Sequence, residues 1–146
     1  MTTSQQEIDG LRYFCGDNGI YNLSAPWSEC GWIYATDGAV AVRIPSSRIM
    51  TPAGKTPKAS SLNWNHVDIT KWEKMKQLDR PFRDGRIRFD AFISPRFHSV
   101  LVSTVYVYII THHLNDVEFF PDEAGQRLLF RFAGGGQGFL MQLNKY

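Results

Sequence analysis

An α+β protein of one domain, an antiparallel sheet of hairpins with two helices against it, is the fold class the sequence predicts. Three observations carry the prediction. Short apolar runs are separated by Asp-Gly and Gly-rich signals, which is how hairpins read. Two stretches, 66–81 and 103–115, carry helix start and stop signals. The 146 residues, 43% of them hydrophobic and 14% aromatic, suffice for one core without metal or disulfide support.

Taken in order, residues 1–10 read as a flexible tail and residues 11–146 as the single domain. LRYFC, GDNG and IYNL read as short pieces around a tight turn, and SAPWSECG as a loop broken by Pro26 and Gly31. GWIYATDGAVAVRIP, 31–45, is a hairpin on a two-residue type I′ turn at Asp37-Gly38. That turn pairs Thr36 with Ala39, Ala35 with Val40, Tyr34 with Ala41, Ile33 with Val42 and Trp32 with Arg43. One face then carries Ile33, Ala35, Val40 and Val42. The other carries Trp32, Tyr34 and Arg43, with the Arg43 guanidinium over Trp32, worth about 0.5–1 kcal/mol when exposed. Residues 46–63, rich in Ser, Pro, Thr and Lys, form a long loop.

HVDITKWEKMKQLDRP reads as a helix capped at Thr70 and Glu73, or at Asp68, with Ile69, Trp72 and Met75 as its buried stripe and Pro81 as its end. GRIRFDAFI alternates as a strand. FHSVLVSTVYVYIITHHLN is too long for one strand of a small domain, so it is broken at Ser103, which caps a helix running to His113 with Asn115 as a left-handed stop. RLLFRF, AGGGQG and FLMQL close the chain as a glycine-turn hairpin.

No apolar run approaches the roughly 20 residues of a membrane span. The opening MTTSQQEIDG has no apolar signal core, so a cytoplasmic location is expected, with Cys15 and Cys30 reduced. The net charge of +2 conceals an asymmetry: residues 43–96 hold twelve Lys or Arg against five Asp or Glu, and the flanks are acidic. Such a middle attracts polyanions. The basic residues expected to meet nucleic acid are Lys71, Lys74, Lys76, Arg83, Arg86 and Arg88, interleaved with Trp64, Trp72, Phe82 and Phe89.

Catalytic readings are poor. The glycine run 134–138 lacks the Lys-Ser/Thr and the following helix of a phosphate loop. His112 and His113 point about 100° apart on a helix. His66 and His98 with the two cysteines make a weak zinc set, because no close ligand pair exists. Asp116, Glu118, Asp122 and Glu123 have no Lys near them in sequence for metal-dependent hydrolysis. No catalytic residue, metal or cofactor is therefore expected, and the protein is read as a non-enzyme.

YATDGAVAVRIP, Tyr34 to Pro45, resembles the ATDG hairpin of bacterial DNA sliding clamps, and GFLMQL, Gly138 to Leu143, resembles the clamp's C-terminal strand. The same motifs are similar to those of small phage and prophage proteins. The resemblance implies a clamp-like domain. It also implies a partner pocket at Thr36, Asp37, Gly38, Met141 and Leu143, where clamps receive short peptides of polymerases and loaders. It implies a phage-type protein, in the host cell cytoplasm, that binds DNA or a DNA-replication protein. Closing a ring from single domains takes a hexamer, so a homo-oligomer is one expectation. The alternative is a phage-encoded inhibitor of a host defence or replication enzyme.

Overall fold

The computed structural model describes residues 5–16, 23–52, 54–58, 62, 64, 74–78, 82–84, 87–93, 100–122 and 127–143, with backbone alone for 82–84 and 87. The fold is α+β, and the sheets are antiparallel.

Helix α1 (Gln5–Leu11) runs into a 3-10 turn over Arg12–Phe14. A seven-residue helix is marginal on its own. This one is held by Ile8, Leu11 and the turn's Phe14, all buried, each apolar side chain contributing about 1.5–3 kcal/mol. The expected tail over 1–10 therefore does not extend to residues 5–10.

Six strands form the larger sheet: β1 (Trp27–Glu29), β2 (Trp32–Thr36), β3 (Val40–Pro45), β8 (Glu118–Pro121), β9 (Arg127–Phe132) and β10 (Gly136–Met141). Their order across the sheet is β1-β2-β3-β10-β9-β8. β1 replaces part of the expected loop at 24–31. Gly31, read as a breaker, is half of a two-residue turn in which Cys30 (φ 50°) and Gly31 (φ 83°) both lie in the left-handed region, with Glu29 opposite Trp32. That is what a type I′ hairpin requires. The turn at Asp37-Gly38 is different: only Gly38 has positive φ (98°), and the ladder pairs Thr36 with Ala41, Ala35 with Val42, Tyr34 with Arg43, Ile33 with Ile44 and Trp32 with Pro45. The register is shifted by two residues from the expected one, so each residue keeps its face.

A second sheet is built on β6 (Ile87–Ile93). β4 (Lys76–Gln77) and β5 (Phe82–Asp84) pair along one edge of it, and β7 (Val100–Ser103) along the other. The helix expected through 66–81 is absent at its described part: Lys76–Gln77 form β4, and residues 74, 75 and 78 have no helix. The reason is tertiary. The Met75 N–H bonds the Phe119 carbonyl of β8 (2.8 Å) and the Leu78 N–H bonds Ala91 of β6 (3.0 Å), so this segment ties the two sheets together. Ile69 and Trp72 lie outside the described residues.

Helix α2 (Thr104–His113) follows β7 directly, as the break at Ser103 predicts. Ser103 occupies the N-cap position, but its hydroxyl makes no capping bond, and the left-handed residue beyond the helix is Asp116 (φ 55°), not Asn115. The main core lies where α1, α2 and the second sheet meet the face of Ile33, Ala35, Val40, Val42, Leu128 and Phe130. The opposite face of the large sheet is covered as well, by Trp27, Tyr34, Phe120, Leu129 and Phe139 with Leu62 and Trp64 packed on them. Described residues 46–52 and 54–58 have no helix or strand, as expected of the long loop. No helix among the described residues is long and apolar enough to cross a membrane.

Candidate functional site

The ATDG turn uses its polar groups internally. The Thr36 hydroxyl donates to the Val40 carbonyl (2.7 Å) and accepts from the Gly38 N–H (3.0 Å). Asp37 Oδ1 accepts from the Ala39 and Val40 N–H groups (2.8 and 3.0 Å). This side-chain cap replaces the second positive φ of a type I′ turn and explains the longer loop. Asp37 Oδ2 accepts from the Tyr106 hydroxyl of α2 at 2.5 Å. A Cβ on Gly16 would stand 3.0 Å from the Asp37 Cβ, so the end of the 3-10 segment abuts the same turn.

This packing sets the proton affinities nearby. Burial, then the hydrogen bond to Asp37 and its charge, pushes the Tyr106 phenol up to about 12. Burial raises the Cys15 thiol to about 11, against the lowering effect of Arg12 and with a further rise from Asp37. At neutral pH both stay protonated, and Cys15 offers no thiolate nucleophile. Both cysteines are free.

β10 runs beside this turn. Leu140 pairs with Val40, and the Met141 N–H donates to the Ala39 carbonyl (2.8 Å). Two residues on, the Leu143 N–H donates to Leu101 of β7 (2.9 Å). All five residues of the implied partner pocket are thus assembled in one region, in unequal roles. Thr36 is buried and its hydroxyl is spent within the turn, whereas the Met141 side chain is 41% exposed. Met141 is exposed beside Ala39, to which its backbone is bonded, Leu143 two residues on is half-buried, and Tyr106 of α2 holds the neighbouring turn through Asp37. Tyr106 was not legible as part of the site, since it is 69 residues from Asp37 in sequence.

Among the basic residues whose side chains are described, Lys74, Lys76 and Arg88 do not share one face. Lys71 and Arg86 lie outside the described residues, and Arg83 is described as backbone, opposite Arg88 in the β5–β6 register. Lys74 forms an ion pair with Glu118, which also accepts from Arg131 Nε (2.9 Å). Those two partners, Lys74 first, hold the Glu118 carboxyl below its ordinary value. Lys76 is exposed opposite Ile93, and Arg88 is exposed five residues earlier on β6. A strand's two-residue period then projects them from opposite faces of the second sheet. Trp64 packs on the large sheet, while Trp72 lies outside the described residues.

The remaining groups are mostly engaged. Asp122 and Arg127 form a buried pair at 2.8 Å, and Glu123 lies outside the described residues. His112 and His113 meet edge to face, stacked on Tyr108 and Tyr13 respectively. His66 and His98 lie outside the described residues, and no group of three metal-ligating side chains occurs among the described ones. Arg43 does lie over Trp32, at 4.0 Å from the ring centre, and also over Trp64 at 4.5 Å, with Nε and Nη2 donating to Gln137 Oε1. The Gly134-Gly135 pair makes the β9–β10 turn.

Compared with known proteins, the chain matches no protein-family model, no curated protein and no solved structure.

Proposed function

We propose that this is a non-catalytic binding protein of phage or prophage type, built like a sliding-clamp domain, whose Ala39–Met141–Leu143 ledge receives a short apolar segment of a DNA-replication protein. The observation that carries the reading is the exposed Met141 beside a turn fixed by Asp37 and Tyr106. An apolar anchor site that is already rigid loses little entropy on binding. Direct DNA binding is the weaker form of the proposal, because Lys76 and Arg88 diverge and Lys74 is paired.

The test is affinity capture with purified replication proteins, polymerase and loader subunits, as the offered partners. Met141→Asp is expected to weaken capture at least about tenfold while the melting temperature stays unchanged. The double charge reversal of Lys76 and Arg88 to Glu is expected to leave it intact. Capture that survives Met141→Asp overturns the ledge. Retention lost through the charge reversal, and falling steeply with salt, transfers the function to DNA. The second reading, an inhibitor of a host defence or replication enzyme, is favoured by the exposed Tyr13 and Tyr108. It predicts capture of that enzyme through α2 instead, removed by Tyr108→Asp and indifferent to Met141. Light scattering of the free protein decides whether it assembles as a hexamer.

A further inference from the structure

At the other end of β10 an open cleft of about 350 Å³ lies between α1, the C-terminal end of α2 and the β9–β10 turn. Its floor is apolar: Leu11, Ile44 and Phe132, all buried. Its rim is electronegative. Glu7 reaches across from α1, its Oε2 being 3.8 Å from where a Gly134 Cβ would stand. The His113 carbonyl lies beside α1, 4.0 Å from the position a Gly10 Cβ would take. That carbonyl belongs to the last turn of α2, where carbonyls without intrahelical partners carry about half a negative charge. Gln6 and Asn115 add side-chain amides. Among the described residues no Lys or Arg lines the cleft, and burial and neighbouring His112 both lower the proton affinity of His113.

We propose that this cleft is a binding site for a cation carried on a short apolar stem, an alkyl-guanidinium or alkyl-ammonium. The stem lies on Leu11, Ile44 and Phe132. The cation meets Glu7 and the carbonyl end of α2. An anion is excluded by the same groups. The site is separate from the Met141 ledge. The six residues of β10 span about 17 Å at the usual rise per residue, so the two sites can fail independently.

The experiment is an amide NMR titration of the full chain with butylguanidinium and with its neutral isostere butylurea. The guanidinium is expected to shift the amides of Gly10, Asn115 and Gly134 saturably, with butylurea about tenfold weaker. Glu7→Gln, at an exposed position, is expected to bring the guanidinium down to the level of butylurea. Ala133→Leu, which fills the cleft from the turn, is expected to abolish binding of both. N-acetylarginine amide identifies the source of the cation: tighter binding than butylguanidinium assigns it to a partner's Arg side chain, and weaker binding assigns it to a free small cation. Equal binding of butylurea and butylguanidinium overturns the proposal. So does an unchanged affinity in Glu7→Gln, or the absence of saturable shifts at the three amides.

Discussion

Asp37 ties two parts of the chain together with one carboxylate. It caps its own turn through two N–H groups and takes the Tyr106 hydroxyl from α2. Hydrogen bonds to a charged group are worth roughly 1.5–3 kcal/mol each, and they are not additive. Asp37→Ala is therefore expected to lower the unfolding free energy by about 2–4 kcal/mol in urea. Tyr106→Phe should cost less, about 1–2 kcal/mol. The tyrosine also has an alkaline signature. Its folded-state value of about 12 lies above the ordinary 10, so the folded form holds the proton more tightly. The stability that this contributes is complete below pH 10 and is lost as pH rises toward 12. Melts between pH 9 and 12 should thus fall less steeply in Tyr106→Phe than in the parent. If the two slopes are equal, the Asp37–Tyr106 bond has no part in holding the turn. At this scale the sequence showed that Asp37-Gly38 turns the chain and that Arg43 covers Trp32. It could not show Tyr106, Trp64 or Gln137, because such partners are chosen by packing between distant segments.

Among the elements, β9 and β10 depend on a pair of absences. Gly136 stands opposite Phe132 and Gly138 opposite Phe130, and each phenyl ring occupies the space where a Cβ would be, at 2.1 and 2.2 Å. The glycine run therefore has two roles: Gly134 and Gly135 turn the chain, whereas Gly136 and Gly138 make room for rings. Gly138→Ala also meets the Ala41 carbonyl at 2.9 Å, and is expected to cost about 1–3 kcal/mol as an overpacked position. A urea midpoint unchanged by Gly138→Ala would show that the rings can move aside. The turn role was legible, because glycine clusters mark turns. The ring role was not, since it depends on which strand lies alongside. The segment at 74–78 was misread for a related reason. Met75 fits the three-residue stripe of a helix, but its N–H is claimed by β8. β8 itself escaped notice because EFFP is short and its Phe-Phe-Pro run does not alternate.

For the whole molecule, the α+β class follows from local signals: hairpin turns close in sequence, and one long apolar run that had to be broken. The order of strands does not, because pairing β3 with β10 joins residues 94 apart, as between Arg43 and Gln137. Nor were the ion pairs that tie the segment before β4 to the large sheet legible, since they too join distant segments. Lys74, just before β4, Glu118 on β8 and Arg131 on β9 form one such junction. The depressed Glu118 carboxyl makes the junction acid-sensitive. The unfolded state binds its proton at higher pH than the folded one, so the stabilisation is present above pH 4.5 and lost as pH falls. Glu118→Gln is expected to flatten the acid limb of a pH-stability curve measured from pH 6 to 3, and an unaltered limb would place the sensitivity elsewhere. Because two hairpins local in sequence meet only at β3 and β10, the protein is divisible. A chain cut at Lys55, an exposed position in the loop, leaves β2–β3 on one fragment and β9–β10 on the other, each marginal alone and each lacking the neighbour that the other supplies. Coexpressed halves should therefore reassemble into a native-like complex, and Val42→Pro, which removes a donor and restricts the backbone in the middle of β3, should keep them apart.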